Sequence, residues 1–169
     1  MRIAALTALG LVCALSGQYI AFALNTRVRL LEKIQLMLTT AENSLNFLQS
    51  PCEKLIKDLS ENTELNELKF IGNCFLKMQN GSDFPNAWRA SLNEKRCVRF
   101  LKDGDKAVLV SFGEMFGTTD VAGQISNCRI HSELIKDRLE EARAVRERYA
   151  SLSCGMGIVC GIGVIIMMI

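Results

Sequence analysis

Only one imidazole is available for acid–base or metal chemistry in this chain: His131, three residues after Cys128 and flanked by Arg129 and Glu133. A zinc site needs four ligands at recognisable spacing, and the sequence has no Cys-x-x-Cys and no second histidine to supply them. No nucleophile stands at a fixed spacing from His131, and no two carboxylates share an apolar setting as a paired acid and base would require. His131 therefore reads as a surface or groove residue, and the sequence offers no catalytic, cofactor-binding or metal-binding residue. The seven cysteines, at 13, 52, 74, 97, 128, 154 and 160, are odd in number and widely spaced, unlike a disulfide framework. They suit small apolar packing positions in a reducing compartment.

The most unusual local string is Phe112-Gly113-Glu114-Met115-Phe116-Gly117. It has too few glycines for a phosphate loop and no Lys-Ser or Lys-Thr after them. Physically, Gly113 would let a second helix approach closely, Gly117 would supply a turn, and Glu114 would pair with a basic neighbour or a helix start. Glu140-Glu141 beside Arg138 and Arg143 reads as a solvated or interfacial charge pattern. Asn80-Gly81-Ser82 matches a glycosylation acceptor, which a cytoplasmic loop would never present to that machinery.

The elements that must position these residues are helices. From Thr26 to about Gln49, Val28, Leu31, Ile34, Leu38, Ala41, Leu45 and Leu48 recur every three or four residues, the helix period. Ser50-Pro51-Cys52-Glu53 combines a cap, a proline at the first helical position and a Glu three after the Ser, so a new helix starts there, with Leu55, Ile56 and Leu59 on its stripe. After Ser60–Thr63 a third helix carries Leu65, Leu68, Ile71, Phe75 and Met78, and Asn80-Gly81 ends it. Ser82-Asp83-Phe84-Pro85 caps a fourth, with Trp88 and Leu92 on one face. The basic stretch from Lys95 to Asp105 reads as mixed and partly helical. Asp105 then precedes a fifth helix bearing Ala107, Val108, Val110, Phe112 and Met115, stopped by Gly117. Asp120 caps a sixth, whose apolar stripe of Val121, Ile125, Cys128, Ile135, Leu139, Ala142, Val145 and Tyr149 is close to a heptad. One face packed on the bundle explains that stripe, and so does a coiled coil with another copy or partner. Nothing alternates with period two for long enough to build a sheet, so the expected fold is all-α: an antiparallel bundle of about six helices.

Both ends of the chain are apolar. Residues 3–24 and 150–169 carry no charge, and twenty such residues in a helix reach about 30 Å, enough to cross a bilayer core. They predict an N-terminal transmembrane helix over 1–25 and a C-terminal one over 150–169, flanking a domain over 26–149. The first stretch also fits a secretory signal peptide, but it is longer than the usual apolar region of about 7 to 15 residues. Arg27, Arg29 and Lys33 outnumber Arg2, while Arg143, Arg146 and Arg148 precede the last span and no charge follows it. Both ends thus place the domain on the cytoplasmic side. Ser153, Gly157 and Gly161 fall four apart and form a face on which a second membrane helix could pack closely. Between the spans, nineteen Lys and Arg against eighteen Asp and Glu leave a net charge near +1, which argues against nucleic acid as the partner.

Taken together, Trp88 and Leu92 after the proline-containing cap, Phe112-Gly113-Glu114 with Gly117 and Asp120, the charged helix leading to Arg148-Tyr149, and Gly157 and Gly161 in a final anchor carry a resemblance. The chain resembles the stage III sporulation protein AB family over essentially its whole length. It departs in one respect: family members often carry basic residues between the tyrosine and the first anchor glycine, whereas Ala150 to Met156 is uncharged, which moves the membrane boundary nearer Arg148. The resemblance implies a helical cytoplasmic domain like that of type II secretion F-family platform proteins. It further implies a non-enzymatic scaffold in the secretion complex joining mother cell and forespore, without cofactors. The expected location is the outer forespore membrane, and the expected partners are a cytoplasmic ATPase of the same operon, other membrane subunits, lipid and further copies of itself. An F-type platform of a general secretion or pilus system is the alternative, although such platforms usually repeat their helical domain and no repeat is found here.

Overall fold

The computed structural model describes the backbone of residues 2–48, 51–94, 96 and 98–168, and the side chains of 17–47, 51–94, 96 and 98–150. Among the described residues there are six α-helices and no strand. In order these are α1 (Arg2–Leu48), α2 (Cys52–Glu61), α3 (Lys69–Gln79), α4 (Phe84–Leu92), α5 (Asp103–Met115) and α6 (Val121–Met168), with one 3-10 turn at Thr63–Leu65. The chain divides into two compact units, one made of residues 1–28 and 140–169 and the other of 29–139.

Within the 29–139 unit, α1 buries Leu31, Ile34, Leu38, Ala41 and Leu45, together with Met37, a stripe set by the 3.6-residue period. Pro51 precedes α2, whose buried face is Leu55, Ile56 and Leu59. The continuous helix expected from Leu65 to Met78 is broken. Asn62 accepts a hydrogen bond from the Glu64 backbone N–H at 2.9 Å and holds a tighter turn, so α3 begins only at Lys69. Its core residues are Phe70, Ile71 and Cys74, while Phe75 and Met78 are half-buried. At its end Gly81 has φ +91°, and Ser82 N–H bonds to Lys77 C=O at 3.1 Å, the closing bond of a Schellman turn.

α4 starts after Asp83, with Pro85 in its first turn, and buries Phe84, Ala87, Trp88, Ser91 and Leu92. α5 begins at Asp103, ahead of the expected start. The reason is Asp105, which lies fully buried inside the first turn and reaches back to accept a hydrogen bond from the Lys102 backbone N–H at 3.0 Å. The buried face of α5 accordingly runs through Asp105, Leu109, Phe112 and Gly113, with Ala107 and Met115 exposed and Val108 and Val110 half-buried. Asp120 caps α6, its Oδ1 accepting from Gly123 N–H at 2.9 Å. Val121 is exposed, and the α6 stripe in this unit consists of Asn127, Cys128, His131, Ile135 and Leu139. α5 and α6 run antiparallel: Gly104 lies beside Arg138, and Phe112 lies beside Asn127 and His131.

In the other unit, Thr26 donates from Oγ1 to Phe22 C=O at 2.8 Å, Thr26, Arg27, Val28 and Ala142 are buried, and Tyr19 and Phe22 are exposed. Arg143 and Arg148 are exposed, and Arg146, Val145 and Tyr149 are half-buried. Among the described residues no helix is long and apolar enough to cross a membrane. The side chains of 1–16 and 151–169, most of both expected spans and with them Ser153, Gly157 and Gly161, lie outside the described residues.

Candidate interaction site around Trp88 and Gly113

The Phe-Gly-Glu string sits where α4, α5 and α6 meet. Trp88, a turn into α4, is buried and lays its indole directly on Gly113 of α5. A Cβ at position 113 would fall 2.1 Å from Trp88 Cδ1 and 2.6 Å from Nε1, far inside contact distance, so the two helices meet at a point only glycine permits. The indole N–H donates to the Leu109 carbonyl at 2.8 Å, which satisfies the one polar atom of the ring. Phe70 meets the indole edge-on at 5.2 Å between centroids, and Phe84 and Phe112 flank it at 5.4 and 5.6 Å. Phe116 closes the cluster against Phe84 and Phe112, and the next residue, Gly117, turns the chain with φ +82°. Glu114, one residue from the glycine contact, is exposed and forms an ion pair with Arg89 of α4.

The α6 side of the junction is polar. Asn127 is buried and donates from Nδ2 to the Phe112 carbonyl at 3.1 Å. His131, read from the sequence as a surface or groove residue, is buried too. Its Nδ1 lies 2.9 Å from the Asn127 carbonyl, so this nitrogen carries the proton and donates, and the ring stands edge-on to Phe112 at 5.7 Å. The physical reason is the periodicity of α6: between Cys128 and Ile135 the buried stripe must pass through position 131. Cys74 and Cys128 are buried and free, and burial pushes each thiol up to about 12; Cys52, less buried, is pushed up to about 11. These thiols act as apolar packing groups and not as nucleophiles at neutral pH. Among the described residues no cluster of three or more His, Cys, Asp or Glu is placed to hold a metal ion.

A family model described as stage III sporulation protein AB matches residues 2–169. The chain belongs to that family. No curated protein and no solved structure matches it. The junction brings together Trp88, Phe112, Gly113 and Glu114, with Gly117 and Asp120 shaping the turn from α5 into α6. It also enlists Arg89, Asn127 and His131, three residues whose roles had not been read from the sequence. The spacing of Cys128, His131 and Ile135 held the signal for the histidine, and Asn127 lies one turn before it on the same face.

Proposed function

We propose that this protein is a membrane-anchored, non-enzymatic scaffold subunit of a stage III sporulation secretion complex between mother cell and forespore. Its helical domain lies in the mother-cell cytoplasm and docks an ATPase of the same operon. The observation that carries the reading is the family match along the whole chain, which gives a role in stage III of sporulation. The family is not a known enzyme family, and the distinctive string is engaged in joining three helices, as suits a rigid adaptor. The uncharged ends, with Arg27, Arg29 and Lys33 after the first and Arg143, Arg146 and Arg148 before the second, support a two-span topology with the domain inside. Ser153, Gly157 and Gly161 would pack the last span on other membrane subunits.

An in-frame deletion, scored by heat-resistant spore count and by microscopy at engulfment, tests the role. Collapse of the count with forespores that engulf and then fail supports it. Normal spore numbers would instead favour a platform of a general secretion system. Co-purification of the full chain with a hexameric ATPase tests the docking, and failure to recover one from sporulating cells would remove that part of the reading.

A further inference from the structure

Within the 29–139 unit, α6 presents a second face beside its buried stripe. Ile130, Glu133, Leu134 and Asp137 stand at i, i+3, i+4 and i+7, the spacing of one helix face, and all four are exposed, Ile130 at 53 % and Leu134 at 44 %. A single exposed leucine, such as Leu76 of α3, needs no explanation, but two large aliphatic side chains one turn apart on a charged helix do. Met115 of α5 extends the surface. Val108 and Met115 lie four before and three after Phe112, whose ring meets His131, while Leu134 lies three after His131 and four before Arg138, which lies against Gly104. Both rows therefore border the seam between α5 and α6, with Val108 half-buried and Met115 47 % exposed.

The exposed apolar surface along this seam is on the order of 300 Å², the size at which a patch on a monomer is often functional, and well short of the roughly 800 Å² per partner of a standard interface between globular faces. It suits a single amphipathic helix laid along the seam and anchored by apolar residues one turn apart. Charge decides which helix. The bases near the face are engaged: Arg129 pairs with Glu42 of α1 at 3.0 Å, Lys136 with Glu133 at 3.5 Å, and Arg138 is turned to Gly104. Asp137 is exposed and, among the described residues, its side chain has no partner. A second copy of this chain would bring a second Asp137 and no unengaged base to meet it, and an anionic bilayer would repel the same carboxylate. We propose that Val108, Met115, Ile130 and Leu134 form a docking groove for a basic amphipathic helix of a partner protein. The apolar residues of that helix cover the groove, and a Lys or Arg one turn beyond them meets Asp137. The proposal requires only the 29–139 unit and stands apart from the membrane and ATPase readings.

The test places the photoreactive residue benzoylphenylalanine in the full chain in sporulating cells, in place of Ile130, of Leu134 or, as a control, of Leu76, and identifies the cross-linked peptides by mass spectrometry. Both groove positions should capture the same segment of another protein, with apolar residues at helix spacing and a Lys or Arg within a turn of the captured residue. Leu76, 57 % exposed on α3, should not capture it. Asp137→Lys should lower the yield about fivefold, and changing the partner's base to Glu should restore it in that background. Because Asp137 is exposed, this variant should keep the wild-type thermal transition in Trp88 emission, which separates a lost contact from a lost fold. Cross-links to a second copy of this chain, to lipid, or to a segment without a base overturn the proposal. So does a yield at Ile130 and Leu134 no greater than at Leu76, or one that Asp137→Lys leaves unchanged.

Discussion

Replacing Gly113 by alanine is the sharpest probe of the junction, because the outcome depends on two opposed effects of known size. A helical glycine changed to alanine gains about 1 kcal/mol of helix propensity. Against this, the new methyl would sit 2.1 Å from Trp88 Cδ1, so either the indole or α5 must move by more than 1 Å. The indole has nowhere to go: it is 1 % exposed, held by Phe70, Phe84 and Phe112, and hydrogen-bonded to Leu109. Overpacking of this kind costs about 1–3 kcal/mol, and losing the buried indole bond costs about 1–3 kcal/mol more. The net expectation is a loss of about 1–5 kcal/mol, a fall in melting temperature of the order of 10 °C. Trp88 is the only tryptophan, so its emission during thermal unfolding of the full chain in detergent reports on this site directly. Gly72, in α3 with nothing within 4 Å of its would-be Cβ, is the control: Gly72→Ala should raise stability by about 1 kcal/mol. A Gly113→Ala variant that melts with or above the wild type would refute the close contact. So would an equal penalty for Gly113→Ala in a Trp88→Leu background, followed by far-ultraviolet circular dichroism because that background has no tryptophan, where the methyl should be nearly neutral.

Three further outcomes follow from the geometry. Asp120→Ala removes the α6 cap to Gly123 and should cost about 1 kcal/mol in the same melt, largely restored by Asp120→Ser. In a double-mutant cycle the exposed Arg89–Glu114 pair should couple by less than about 1 kcal/mol, weakening further in salt; a larger value would mean the pair is more desolvated than its exposure shows. Cys74 and Cys128, with thiols pushed up to about 12 from an ordinary 9.0, should resist iodoacetamide at pH 8 until the chain unfolds. The sign of their pH dependence is fixed. Both are protonated in the folded state, so their contribution is complete below pH 9 and is lost as pH rises from 9 toward 12, by up to about 1.4 kcal/mol per thiol per pH unit. Stability measured at pH 8 and 10 for wild type and for Cys128→Ala checks it, since the variant should lose less.

The long-period features were legible in the sequence. Leu31, Ile34, Leu38, Ala41 and Leu45 fall on one buried stripe of α1, and Asn80-Gly81 ends α3, because both signals come from local backbone physics. Asp105 escaped a purely local reading because its carboxylate acts backwards, on the residue before the helix, while its burial is tertiary. The break before α3 depends on Asn62 accepting a backbone bond that competes with helix continuation. At the junction, residue type misled: a histidine and an asparagine on a highly charged helix look solvated, yet their position on the Cys128–Ile135 stripe outweighs their polarity, because each finds a carbonyl to bond. The partnership of Trp88 with Gly113 joins residues twenty-five apart and leaves no pattern in the chain itself.

Two carbonyls of α5, those of Leu109 and Phe112, each receive a side-chain donor from a different neighbour, the indole of α4 and the amide of α6. Three residues apart, they act as index marks on a shaft. Sliding α5 by one turn, the step by which packed helices ratchet in many switching proteins, would strand both donors in an apolar interior at once. The three helices should therefore respond to load as one block and exchange their amide hydrogens as one cooperative unit, the last to open in the domain.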